Sequence, residues 1–199
     1  MNSNQTYIAI LTAAAYFLGT TPFALIYSRL FEGVDPRKTG NSNPGAANVF
    51  RKVGKRAGIA TGISDAAKGL TPIVIARLLD LPVWSWTLIG VAATLGHCYP
   101  FWNRFKGGMG LATGIGMTYA MLPVPCMICT PIGIIILIVT RNVGWTVAAA
   151  AIITFVLALV FDESIIKAII KAIAAMSGVA ISLLKARIQP MRPVPVHSG

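Results

Sequence analysis

Along this chain, apolar runs of span length alternate with short clusters of cations, and that alternation lays out the elements. Residues 1–28 carry no formal charge and the first cation is Arg29. The opening run therefore lacks the cationic start of a cleaved signal peptide and reads as a retained first span. Residues 57–79 form a second span that holds Asp65, Lys68 and Arg77. Residues 83–102 form a third, with Trp84, Trp86 and Trp102 near its ends, where indoles favour the membrane interface. Residues 107–140 are free of charge and interrupted at Pro123 and Pro125. This stretch is too long for one upright span of ~30 Å and too short for two with a loop, so it reads as a long kinked helix or as two short, tilted or re-entrant ones. Residues 142–161 are span-like again. The last apolar stretch, 172–184, follows Asp162, Glu163, Lys167 and Lys171, and reads as a cationic interfacial helix or the end of a short final span. The pattern predicts one domain over residues 1–199, an all-α polytopic membrane protein with about five to seven transmembrane segments.

Composition agrees with the pattern. Hydrophobic residues make up 55% of the chain and charged ones only 12%, where a soluble domain has roughly 25% charged. A mean hydropathy of +0.71 excludes disorder. With 17 Lys and Arg against 6 Asp and Glu, the net charge is +11. In a soluble protein that sign suggests nucleic acid; in a membrane protein it suggests anionic headgroups, phosphorylated substrates or the positive-inside bias. No nucleic-acid partner is expected.

The cations also orient the chain. Arg29, Arg37, Lys38, Arg51, Lys52, Lys55 and Arg56 lie between the first and second spans, opposed only by Glu32 and Asp35. The positive-inside rule makes that segment cytoplasmic and the N-terminus external, and Arg104 and Lys106 return the chain to the same side. If 107–140 crosses twice, Lys185, Arg187 and Arg192 end inside; if once, 162–171 is inside.

Candidate chemistry concentrates in two glycine-rich basic segments, 29–56 and 96–113. In the first, glycines let a ligand approach the backbone, asparagines and Ser42 offer neutral hydrogen bonds, and cations compensate charge, a combination suited to a phosphate or its ester. It is not a Walker A loop, because Gly54-Lys55 is followed by Arg56. The alternative is a polar connection whose cations only set topology. In the second segment, His97 stands near a span end ahead of an aromatic, basic stretch and a glycine turn. It reads as a donor or proton carrier at the bilayer boundary, or as a packed, hydrogen-bonded residue. Asp65 and Lys68 share a helical face and form an ion pair that tolerates burial, or point Lys68 at a phosphate. Cys126 and Cys129 have C-x-x-C spacing in apolar sequence with no histidine or carboxylate beside them, and read as packing. No metal site, cofactor or nucleophile elbow is indicated.

The motif Gly40-Asn-Ser-Asn-Pro-Gly-Ala-Ala-Asn48, followed by Arg51, Gly54, Lys55, Gly58 and Asp65-Ala-Ala-Lys-Gly69, resembles the first motif of the bacterial integral-membrane glycerol-3-phosphate acyltransferases that use acyl phosphate. Gly96-His97, Pro100, Phe105-Lys-Gly-Gly108, Gly110 and Ala112-Thr113 resemble the second, and order and spacing match over residues 7–145. The resemblance implies acyl transfer from acyl phosphate to the 1-hydroxyl of glycerol 3-phosphate, giving lysophosphatidic acid and phosphate. It also implies a bacterial plasma-membrane enzyme with both motifs facing the cytoplasm, whose partners are its two substrates and membrane lipids.

Carried over residue by residue, the resemblance implies Asn43, Gly45, Asn48 and Arg51 as phosphate or hydroxyl ligands, together with Gly107, Gly108 and Gly110. His97, Lys106 and Ser42 take the catalytic positions. The departures are Asn41 where the family has serine, Met109 where it has the lysine of Gly-Gly-Lys-Gly, and 161–171, where a third motif with histidine and asparagine finds no match. They leave open a catalytically impaired paralogue that binds a phospholipid or acyl ligand. A small-anion transporter, suggested by the spans and the basic face, is a further alternative.

Overall fold

In the computed structural model, residues 3–161 and 164–188 are described, and among them every regular element is helical. Asp162, Glu163 and Arg192 lie outside the described residues. The helices are α1 (Ser3–Thr20), α2 (Phe23–Glu32), α3 (Ala46–Lys52), α4 (Lys55–Leu78), α5 (Val83–Cys98), α6 (Leu111–Met121), α7 (Pro123–Thr140), α8 (Val143–Phe161) and α9 (Ile165–Ile188). Short 3-10 turns stand at Pro36–Lys38 and Phe101–Asn103. Three stretches are long and apolar enough to cross a membrane by length and composition: Ser3–Glu32, Pro123–Thr140 and Ile165–Ile188. α4, α5 and α8, of 24, 16 and 19 residues, bring the helices near span length to six.

Four expectations need correction and one open alternative is decided. The third span ends at Cys98 and not at 102, because Pro100 supplies no N–H to continue the ladder and Trp102 falls in the following 3-10 turn. The opening span is two helices, because Thr21 and Pro22 interrupt it and proline supplies no N–H to continue the ladder. Arg29 lies in the last turn of α2, not in a loop, and the segment 29–56 contains α3. Of the two readings of 107–140 the pair holds: Leu122 leaves helical geometry (φ −132°, ψ 64°) and Pro123 opens α7, so α6 has 11 residues and a length of about 16 Å, too short to cross upright. The last apolar stretch is longer than 172–184, since Lys167 and Lys171 are good helix formers that extend α9 back to Ile165.

Small residues bring the helices together. At Gly96 on α5 a methyl group would overlap the Tyr16 carbonyl of α1, and at Gly116 on α6 it would overlap the Ala66 carbonyl of α4. Backbones this close gain dispersion where lipid leaves little hydrophobic drive for helix association. The buried stripe of α9, Ala168, Ala172, Ala175, Gly178, Ser182 and Lys185, has the three-and-four spacing of one helical face, and Gly114 of α6 packs against Gly178. Outward faces are apolar: Ile134, Ile135, Ile138 and Val139 of α7 are all more than half exposed. Cys126 and Cys129 are buried and border an apolar cavity of about 210 Å³ among α6–α9.

Candidate active site

The break between α1 and α2 leaves Thr20 and Thr21 carbonyls without helical partners, and side chains from two other segments take them. Trp102 Nε1 donates to Thr20 O (2.8 Å) and Lys68 Nζ to Thr21 O (2.5 Å). A small cleft forms around this break, lined among others by Thr20–Phe23, Arg37, Pro44, Asp65, Lys68, His97, Trp102, Asn103, Lys106, Gly107 and Gly108. It lies where both glycine-rich segments meet, joined by Arg37 Nη1 to Asn103 Oδ1 (3.4 Å).

α4 supplies the floor. Asp65 and Lys68, three residues apart and each 2% exposed, pair at 2.8 Å, and Lys68 Nζ stands 4.9 Å from the centre of the Phe23 ring. A buried ammonium held by a carboxylate, a carbonyl and an aromatic face has its donors occupied. Asp65 Oδ1 also lies 3.5 Å from His97 Nδ1. The opposite edge of the imidazole, Nε2, faces Gly108 so closely that a methyl group there would overlap it. A carboxylate on Nδ1 sets the ring orientation and leaves Nε2 to meet a ligand.

The loop 99–107 is tight and strained. Arg104 (φ 51°) and Phe105 (φ 58°) are consecutive left-handed non-glycine residues, each costing about 1–2 kcal/mol. Gly107 N donates to Cys98 O (3.0 Å) and Gly108 N to His97 O (3.2 Å), which closes the loop at its neck. Gly107 and Gly108 border the cleft, but their N–H groups are already used, so they lend a wall without side chains instead of donors to phosphate. Gly110 is outside the cleft lining and abuts Cys98 Sγ and Ser182 Oγ. Lys106 is exposed at the cleft's edge.

The first segment is organised by Asn48, which is 3% exposed. Its Nδ2 lies 3.0, 3.1 and 3.3 Å from the carbonyl oxygens of Asn43, Thr39 and Pro36, and its Oδ1 accepts from Asn41 N (3.3 Å). An amide with both N–H groups engaged shapes the loop and has no donor left for a phosphate, while its oxygen keeps one lone pair for a hydroxyl. Asn43 carries a buried Oδ1 with no hydrogen-bond partner and sits beside Gly45. Ser42 is left-handed (φ 61°) and outside the cleft lining, as are Asn43, Gly45 and Arg51, the last exposed on the final turn of α3.

The guanidinium in the cleft wall is Arg37. It forks onto Asp35 through Nε (3.0 Å) and Nη2 (2.7 Å), while Arg37 N donates to Asp35 Oδ1 to cap the 3-10 turn. These hydrogen bonds hold the Asp35 carboxyl down to about 2, against the opposing effect of burial. Sequence reasoning missed Arg37 as a site residue, although its place two residues after a capping aspartate was a usable signal. It also missed Lys185, whose buried Nζ donates to Cys98 O and Gly107 O. The signal there was a lysine continuing the small-residue stripe of α9. Arg37, Lys68 and Lys106 against one lining carboxylate, Asp65, leave the cleft net cationic, which suits a phosphorylated ligand.

The sequence model of the family described as glycerol-3-phosphate acyltransferase matches residues 9–190. A glycerol-3-phosphate acyltransferase of Macrococcus caseolyticus is 40% identical over 163 residues, 81% of this chain and 83% of the relative. One from Geotalea daltonii is 40% identical over 168 residues, 84% of this chain and 86% of the relative. Among solved structures, the glycerol 3-phosphate form of PlsY (YgiH), an integral membrane glycerol 3-phosphate acyltransferase, superposes with a TM-score of 0.77 at 31% identity, covering 91% of this chain and 88% of that one. Its lysophosphatidic acid form gives a TM-score of 0.75 at 28% identity with the same coverage. By sequence and by fold, the chain belongs to the glycerol-3-phosphate acyltransferase family.

Proposed function

We propose that this membrane protein transfers an acyl chain from acyl phosphate to the 1-hydroxyl of glycerol 3-phosphate in the cleft at the α1–α2 break, giving lysophosphatidic acid and phosphate. The observation that carries the site assignment is His97, held by Asp65 on one edge and facing Gly108 on the other, inside a wall of Arg37, Lys68 and Lys106. The donor is a mixed anhydride and needs little activation, so positioning and charge compensation account for most of what the protein must supply. The 1-hydroxyl oxygen attacks the acyl carbonyl carbon, the bond from that carbon to the phosphate oxygen breaks, and phosphate leaves with the bonding pair. The hydroxyl proton passes to His97 Nε2 and from there to solvent. Arg37 and Lys106 offset the phosphate charge, and Lys68, neutralised by Asp65, fixes the break against α4.

The topology belongs to the same reading: N-terminus outside, both motif segments at the cytoplasmic face, which the excess of cations in each supports. Reconstitution of the purified chain with acyl phosphate and glycerol 3-phosphate tests the activity. Lysophosphatidic acid and phosphate should appear in equal amounts. Binding of both substrates without phosphate release would reassign the chain as an impaired member of its family.

A further inference from the structure

The neck of the 99–107 loop is held from behind by a helix that contributes nothing to the cleft lining. Lys185, in the last turn of α9, has no exposed surface. Its ammonium donates to Cys98 O and to Gly107 O (3.0 Å), the two residues whose backbones close the loop, and lies 4.8 Å from the centre of the Tyr99 ring. An ammonium has three donors and no acceptor, and here two carbonyls and one aromatic face receive them. Among the described residues no carboxylate lies within ion-pair distance of Lys185. What offsets its charge is the carbonyl end of α5, where the helix dipole favours a cation. Ser182, one turn earlier on the same buried stripe, meets the other side of the turn at Gly110. Burying a lone cation is costly unless each donor is used, and a methionine or leucine would fill the same volume without that cost. The lysine is therefore explained by what it holds.

We propose that Lys185 is a positioning residue for acyl transfer. By gripping Cys98 O and Gly107 O it fixes the neck of the strained loop, and through the adjacent bond of Gly108 N to His97 O it sets Gly108 against the imidazole. The C-terminal helix thus reaches the site through a backbone clamp. This proposal deepens the acyltransferase reading and rests on it for turnover, but its primary test does not need turnover.

The test compares wild type, Lys185→Met, Lys185→Arg and Ala174→Gly in one detergent. Ala174→Gly weakens α9 at a buried position away from the loop. Hydrogen exchange is followed in peptides covering residues 103–110, and acyl transfer is expressed per folded protein. In Lys185→Met the Gly107 and Gly108 amides should lose protection while the α1 and α4 peptides keep theirs, and kcat/KM should fall roughly 100-fold, the scale of a misplacement of about 1 Å. Lys185→Arg, which keeps the charge and the donors, should recover most of the protection and come within about tenfold of wild type. Ala174→Gly should match wild type in both. Unchanged protection at 107 and 108 in Lys185→Met, or equal loss in Ala174→Gly, would overturn the clamp. If Lys185→Met does not survive purification, Lys185→Gln, which keeps one amide donor, is read against the same two outcomes. Absence of turnover in wild type would count against the acyltransferase reading alone, because the exchange data still decide the clamp.

Discussion

Arg37 and Arg51 carry the same charge on the same segment, yet only Arg37 borders the cleft, forked onto Asp35 and reaching Asn103. A planar guanidinium can keep that fork and still offer an N–H to phosphate, which an ammonium cannot do. Arg37→Lys should therefore raise the KM for glycerol 3-phosphate about tenfold or more, the worth of one charge-assisted hydrogen bond. Arg51→Lys, on the outer turn of α3, should stay within about twofold. Steady-state kinetics of the two variants in the same lipid checks this. A larger loss at Arg51 would move the phosphate out of the cleft to the far side of α3.

At the scale of an element, α4 is the helix on which the site is built, and its two buried charges are interdependent. Asp65→Asn strips Lys68 of its counter-charge in a place with 2% exposure and should destabilise the protein by about 3 kcal/mol or more. Combining it with Lys68→Met should return most of that stability, but His97 would face a neutral amide in place of its carboxylate and turnover should stay low. Thermal unfolding and acyl transfer measured side by side separate the two effects; an active double variant would remove Asp65 from the site. The boundaries of α4 and the start of α5 were legible because cations and indoles bracket them, whereas Trp102 misplaced the end of α5 by standing in the turn beyond it, and Asp65 with Lys68 announced a shared face by spacing alone. The break at Thr21 and Pro22 falls inside an uncharged run, where hydropathy does not register a lost backbone bond. The seven residues of α3 are too few for a periodic signal. Of the candidate site, His97, Lys106 and the glycine turn were marked by motif. Arg37 was not, since its contact with Asn103 spans 66 residues of sequence, and the loop-shaping part of Asn48 was hidden because a ligand amide and a structural amide look alike until the carbonyls around them are known.

For the whole molecule, the contact of Arg37 with Asn103 brings both motif segments together, and the proposed topology puts them at the cytoplasmic face. Thr39→Cys and Arg104→Cys should both react with an impermeant maleimide from the cytoplasmic side, and Ser3→Cys from the outside. The native Cys98, Cys126 and Cys129 are buried and should contribute little background. Labelling of Thr39→Cys and Arg104→Cys from opposite sides would be incompatible with a shared cleft. The position of that cleft, at the ends of the helices and beside the exposed rings of Phe101, Trp102 and Phe105, has a kinetic consequence. One substrate arrives dissolved in water and the other dissolved in lipid, so the rate answers to two different concentration scales, molarity for glycerol 3-phosphate and mole fraction in the bilayer for the acyl donor. Diluting the donor with inert lipid should slow the enzyme even when its bulk concentration is held constant, whereas adding more vesicles of unchanged composition should leave the rate per enzyme molecule where it was.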